Sequence, residues 1–142
     1  MTHISYFDLH VGLELPAQEF IFTRIDLIKY AGASGDFNVI HWNERVATEV
    51  GLPSVIAHGM FTMGTVIRVV TDWLGDPGKV TAYSARFTRP IPVPDSDEGA
   101  TIKVTAKITE LLENYQAIVS ISAIHNDVTV LAKTVVTVTL EP

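Results

Sequence analysis

Asp36, Asn38 and His41 fall within six positions in the segment Gly35-Asp36-Phe37-Asn38-Val39-Ile40-His41, and Ala57-His58-Gly59 follows at the start of a long apolar run. A carboxylate and an imidazole that share one water can activate it as a nucleophile and deliver a proton elsewhere, which is general acid–base chemistry. A glycine that opens a helix adds an N–H with no intrahelical acceptor beside the positive helix end, and without a side chain it admits a carbonyl oxygen closely. Acid, base and free donor together suit adding water to, or removing it from, an activated carbonyl compound. Each residue also has an ordinary structural use. Asp after Gly is a common turn residue, Asn in a loop bonds the neighbouring backbone, a lone His satisfies a buried group, and Gly59 can simply relieve crowding between a helix and a sheet. His58 is read in that structural way, with no part in proton transfer.

For Asp36 and His41 to meet, their segment cannot be a regular helix, on which positions five apart point to different faces. Gly35 and the break near Val39-Ile40 predict an irregular loop with both side chains turned inward. Upstream, Thr23 is expected to cap a short helix with Asp26 near its positive end and Ile25, Leu27, Ile28 and Ala31 as its apolar stripe, broken by Gly32 and Gly35. A second short helix is expected after Asn43, stopping at Gly51-Leu52-Pro53. From Gly59 to about Trp73 one helix carries apolar residues on nearly every face, so it must be buried on most sides.

The second half changes period. Ile102, Val104, Ala106 and Ile108 alternate with Thr and Lys, the two-residue repeat of a half-buried strand. Tyr115 to Ile124 and Val128 to Leu140 are Val-, Ile- and Thr-rich strands joined by a tight connection at His125-Asn126-Asp127. Tyr83 to Thr88 is a further strand, ended by the proline series from Pro90 to Pro94, and a strand near Phe20 completes the sheet. The expected class is α+β, an antiparallel sheet wrapped around a long central helix.

A chain of 142 residues, 47% hydrophobic and 18% charged, suits one domain over 1–142. The absence of cysteine excludes disulfides, thiolate zinc sites and cysteine nucleophiles. A net charge of −6 with scattered basic residues argues against nucleic acid, though one anionic carrier group could still be held locally. Without an apolar run of 18 residues, and with an N-terminus lacking the basic start and apolar core of a signal peptide, the expectation is a cytoplasmic protein with no membrane insertion. Asp36-x-Asn38 also opens calcium loops, but no Gly and Glu follow at the required spacing and no His-x-x-x-His pair supports zinc, so no metal and no cofactor are expected. Tyr83, Arg86 and Arg89 could clamp a phosphate; exposed basic side chains are more often solvated surface.

The stretch from Gly35 to His41, followed eighteen residues later by Gly59 within Ala57-His58-Gly59, resembles the signature of the MaoC-like, (R)-specific enoyl-thioester hydratases and dehydratases of the hot-dog fold. The likeness runs through Ile40-His41-Trp42, Trp73 to Gly78, Arg86-Phe87-Thr88 and the proline loop, and is similar in detail to the β subunits of mycobacterial-type (3R)-hydroxyacyl-acyl-carrier-protein (ACP) dehydratases. The resemblance implies that Asp36 and His41 hold the catalytic water, that Asn38 supports them, and that the Gly59 N–H receives the thioester oxygen. It implies an acyl thioester substrate on ACP or coenzyme A (CoA) and a homodimer or heterodimer of hot dogs joined edge to edge, with the acyl chain beside the central helix at Met60, Met63, Val66, Ile67 and Val70. Two positions depart from the pattern. Val39 stands where a proline is usual, and Ile67 where many CoA-specific relatives carry serine, which favours the ACP branch.

Overall fold

The computed structural model describes residues 4–142. Five strands form one antiparallel sheet in the order β1-β3-β4-β5-β2, with β1 (Gln18–Phe22) and β2 (Val80–Phe87) at its edges and β3 (Ala100–Leu112), β4 (Gln116–His125) and β5 (Val128–Thr139) between them. The expected alternation is observed. Ile102, Val104, Ala106 and Ile108 of β3, Ala117, Val119, Ile121 and Ala123 of β4, and Thr134, Val136 and Val138 of β5 are buried. Polar and charged residues of β3 stay outside. Asn126 and Asp127 both adopt positive φ, 49° and 61°, giving the β4–β5 hairpin the mirror-image two-residue turn that matches strand twist. Gly99 fixes the start of β3 against β1, because at φ +64° a Cβ there would lie 2.3 Å from the Phe22 carbonyl oxygen.

Helix α1 (Arg24–Ser34) begins as expected: the Asp26 carboxylate accepts from the Thr23 N–H at 2.9 Å and the Thr23 hydroxyl at 2.8 Å. It runs through Gly32 and stops only at Gly35, which takes the left-handed conformation. Its stripe is narrower than expected. Leu27 and Ala31 are buried, but Ile25 and Ile28 are exposed, since the i,i+4 pair fixes the face turned to the core. Helix α2 (Glu44–Glu49) is capped by Asn43, whose side-chain oxygen accepts from the Val46 N–H at 3.1 Å.

The expected single helix after Gly59 is two, α3 (Gly59–Val66) and α4 (Arg68–Leu74). The cause lies on β2. The Tyr83 hydroxyl donates to the Met63 carbonyl at 2.8 Å, while the helical bond from the Ile67 N–H to that carbonyl is stretched to 3.4 Å. The Val70 N–H then bonds Ile67 at the tighter i+3 spacing, 2.9 Å. Both helices still lie on the sheet: Val66, Val69, Val70 and Leu74 join the strand residues in one core.

Candidate active site

Side chains of the loop after α1 bond backbone amides in succession. Ser34 Oγ accepts from the Asp36 N–H at 3.1 Å, Asp36 Oδ1 from the Asn38 N–H at 3.2 Å, and Asn38 Oδ1 from the Ile40 N–H at 3.4 Å. These turns lead into one turn of 3-10 helix, Val39–His41, that swings His41 inward until it is 8% exposed. Asp36 itself stays exposed. Asn38 meets Asp36 through its backbone N–H, and its side-chain oxygen caps the turn.

His41 Nδ1 lies 2.7 Å from the Ile56 carbonyl oxygen. A carbonyl only accepts, so Nδ1 carries the hydrogen and Nε2 keeps the lone pair. His58, 1% exposed, donates from Nε2 to the Asp36 carbonyl at 3.1 Å, leaving Nδ1 buried with no partner among the described residues. The two rings stack at 3.8 Å and 24°, and Tyr30 meets His58 edge-on at 4.7 Å. Burial, foremost, holds His58 below the ordinary imidazole value; His41 adds to the effect, and the bond to Asp36 and its charge oppose it.

One carboxylate oxygen of Asp36 and one ring nitrogen each of His41 and His58 lie within 4.8 Å of one another. That separation suits a water held between acid and base. It suits a metal poorly, because nearly parallel stacked rings aim their in-plane lone pairs side by side rather than at one ion.

A cavity of about 350 Å3 opens beside the pair, lined by His41, Gly59, Thr62, Phe87, Ile91 and Leu131 among others. Gly59 begins α3, so its N–H has no acceptor within the helix. A Cβ at Gly59 would meet the Phe87 ring at 3.2 Å, so the glycine also relieves crowding there. A wider groove of about 1080 Å3 shares Arg89, Pro90 and Val130 with the cavity.

The structure thus brings the Asp36 carboxylate near the rings of His41 and His58 and sets His41 and Gly59 on one cavity, whereas Asp36, expected to turn inward, is exposed and is not among the residues that line that cavity. It does not bring the five expected acyl-contacting residues into the cavity: Val66 and Val70 are fully buried in the core, Met63 and Ile67 are half-buried, and Met60 is 60% exposed. Nor does the trio Tyr83, Arg86 and Arg89 form a clamp, since the Tyr83 hydroxyl is committed to Met63. Sequence reasoning missed the Ile56 carbonyl, which sets the His41 tautomer, and the walls supplied by Thr62, Phe87 and Leu131. The aromatic at Phe87, just before the proline loop, is the one signal that could have pointed to the wall.

The sequence profile of the family described as MaoC like domain matches residues 11–132. The chain belongs to this family. It is 31% identical over 112 residues to the 3-hydroxybutyryl-CoA dehydratase of Methylorubrum extorquens, covering 77% of this chain and 67% of that protein. It is 38% identical over 79 residues, 56% of this chain, to 3-hydroxyacyl-thioester dehydratase X of Mycobacterium tuberculosis, and that match spans only 27% of the relative's length. Among solved structures, one described as a MaoC-like dehydratase superposes with a TM-score of 0.93 at 40% identity over 96% of this chain, which corresponds to 42% of the other. The fold also matches the R-hydratase PhaJ1 of Pseudomonas aeruginosa, TM-score 0.83 at 24% identity over 99% of this chain and 88% of that one. The chain is therefore a MaoC-like hot dog, and spans less than half of the first of these structures and about a quarter of the dehydratase X.

Proposed function

We propose that this chain is a hydro-lyase that interconverts a (3R)-3-hydroxyacyl thioester and its trans-2-enoyl thioester, acting on ACP-borne chains in fatty-acid elongation. The observation that carries the reading is a buried His41 whose Nδ1 is locked on the Ile56 carbonyl; this His41 has a ring nitrogen within 4.8 Å of an Asp36 carboxylate oxygen and lines one cavity with Gly59 at the start of α3. In dehydration the basic member of the pair takes the C2 proton, and the electrons of that C–H bond pass through an enolate-like thioester whose oxygen sits at Gly59. They then form the C2–C3 double bond as the C3 hydroxyl leaves as water, protonated by the acidic member. Hydration reverses each step. The dehydratase and R-hydratase names of the relatives support this reaction class.

A second chain is part of the proposal. Among the described residues β2 pairs only with β5, and Phe87 and Met60 beside the cavity are exposed, so a homodimer or a heterodimer with another hot-dog subunit would cover both the free edge and these side chains. Solved neighbours include the ChsH1-ChsH2 and HadBC complexes of Mycobacterium tuberculosis, whose likeness to this chain is one of fold. In that assembly the acyl chain would run past Met60, Met63 and Ile67, with Val66 and Val70 behind them. No helix among the described residues is long and apolar enough to cross a membrane, and we place the activity in the cytoplasm.

The test is turnover of trans-2-enoyl thioesters on ACP and on CoA, with and without a second hot-dog subunit. Loss of enoyl absorbance without thiol release is expected. Thiol release would make the chain a thioesterase, and activity on CoA alone would move it to acyl-CoA metabolism. Inactivity with every carrier and partner would leave it an acyl-binding subunit. Light scattering should give at least a dimer mass, and a monomer that ignores its partner would remove the edge-to-edge arrangement.

A further inference from the structure

His58 is the buried titratable group for which this mechanism has no use. It touches every component of the site. Its Nε2–H holds the Asp36 carbonyl at 3.1 Å, its ring face supports His41 at 3.8 Å, Tyr30 closes on it edge-on at 4.7 Å, and its own peptide carries the Gly59 N–H. It also anchors the first turn of α3: its carbonyl accepts from the Thr62 N–H at 3.1 Å and from the Thr62 hydroxyl at 3.3 Å. We propose that His58 is a positioning residue, a neutral ring that sets the distance between the Asp36 carboxylate and the His41 ring and presents Gly59 to the same point.

Neutrality follows from the bonding. With Nε2–H on a carbonyl, a second proton could go only to Nδ1, which is buried and has no acceptor. It would also place two cations face to face whenever His41 is protonated. The groups facing His58 are His41, the Asp36 loop and the Tyr30 ring; the hydrogen bond to the Asp36 carbonyl and the Asp36 carboxylate favour a cation there, and burial outweighs them. A ring that refuses a proton can lie against His41 without competing for the proton being transferred. A lysine or a second titrating imidazole at the same place would divert that proton.

The proposal rests on the hydro-lyase reading for its kinetic arm but not for its spectroscopic one. In nitrogen-15-labelled wild-type protein, His58 should be the neutral Nε2–H tautomer at about pH 6.5 and above, where an ordinary imidazole is changing charge. Titration of His58 in that range, or a hydrogen on Nδ1, would overturn the proposal whether or not the protein is an enzyme. For the kinetic arm, H58Q keeps an N–H able to reach the Asp36 carbonyl and loses the ring, whereas H58F keeps the ring and loses the donor. Each should lower kcat by about 10- to 100-fold, the scale of a small misplacement, with little change in KM. In an H41A background H58F should cost almost nothing further, because its effect passes through the pair. Equal losses in both backgrounds, or full activity in H58F and H58Q, would show a ring that merely fills space.

Discussion

Along the sheet side of the helices, Val66, Val69 and Val70 have no exposed surface, while at the start of α3 Met60 is 60% exposed and Phe87, which faces Gly59, is 52% exposed. The polar groups run the other way. Two imidazoles, with a nitrogen lacking any partner, are buried at the α3 start, where apolar side chains are left in the open. The packed region follows the rules by which a chain folds, and the other breaks them in both directions at once. Such a double inversion is where a functional surface is expected.

If that division is real, changes at the inverted end should abolish chemistry without touching the fold. D36N and H41A are each expected to lower turnover of an enoyl thioester by about 100- to 10,000-fold in protein that still folds, with an unchanged denaturant midpoint in D36N and a lower one in H41A, which strands the Ile56 carbonyl. The double variant should be little worse than either single one, since acid and base act in one transition state. Near wild-type turnover by either single variant would remove the pair from the site.

Gly59 sharpens the boundary, since it lies on both sides of it. G59P removes the N–H at the first helical position, where proline is tolerated, and His58 already has the extended backbone, φ −59° and ψ 132°, that a following proline demands. G59A brings a similar Cβ against Phe87 but keeps the N–H. An oxyanion donor predicts a kcat loss of about 100- to 1,000-fold in the proline variant beyond that in the alanine variant. Equal losses would make the glycine a spacer and nothing more.

The sheet was legible in the sequence from its period of two, and the irregular loop after α1 was legible because short polar residues around Gly35 bond their own backbone, although Asp36 stays exposed where both side chains were expected to turn inward. What escaped was set by partners far along the chain. The break at Ile67 comes from a hydroxyl on β2, the exposure of Ile25 and Ile28 from which side of α1 meets the core, and the His41 tautomer from a main-chain carbonyl with no side-chain signature. The five residues expected to touch the acyl chain were read from a helix with apolar side chains on nearly every face. Its sheet face is dry, which separates Val66 and Val70 from Met60 and Met63.

That separation gives a measurable contrast. V70A should destabilise the protein by about 2 kcal/mol, the worth of burying such a side chain, while turnover per folded molecule keeps its dependence on acyl length. M63A should hardly move stability and should instead flatten the rise of kcat/KM with chain length, which wild type is expected to show at roughly 0.8 kcal/mol per methylene before ordering costs. Substrates from short to long, assayed with the partner subunit, would read this directly. A flat wild-type profile would take the acyl path off this helix and leave Asp36 and His41 as assigned.

The smallest effect expected is at the junction of the two helices. Y83F leaves the Met63 carbonyl with only the stretched bond from Ile67, a carbonyl that can partly recover by shortening that bond, so the cost should be about 1 kcal/mol. The pH dependence identifies the group. Burial pushes the Tyr83 phenol up from 10.0 to about 12. Above pH 10 the unfolded chain releases a proton that the folded chain retains, so this contribution is complete below 10 and is lost as pH rises through the folded value near 12. Denaturant midpoints should therefore fall more steeply in wild type than in Y83F on the alkaline side. Parallel curves would mean that the hydroxyl is free in solution and that the helix breaks at Ile67 for another reason.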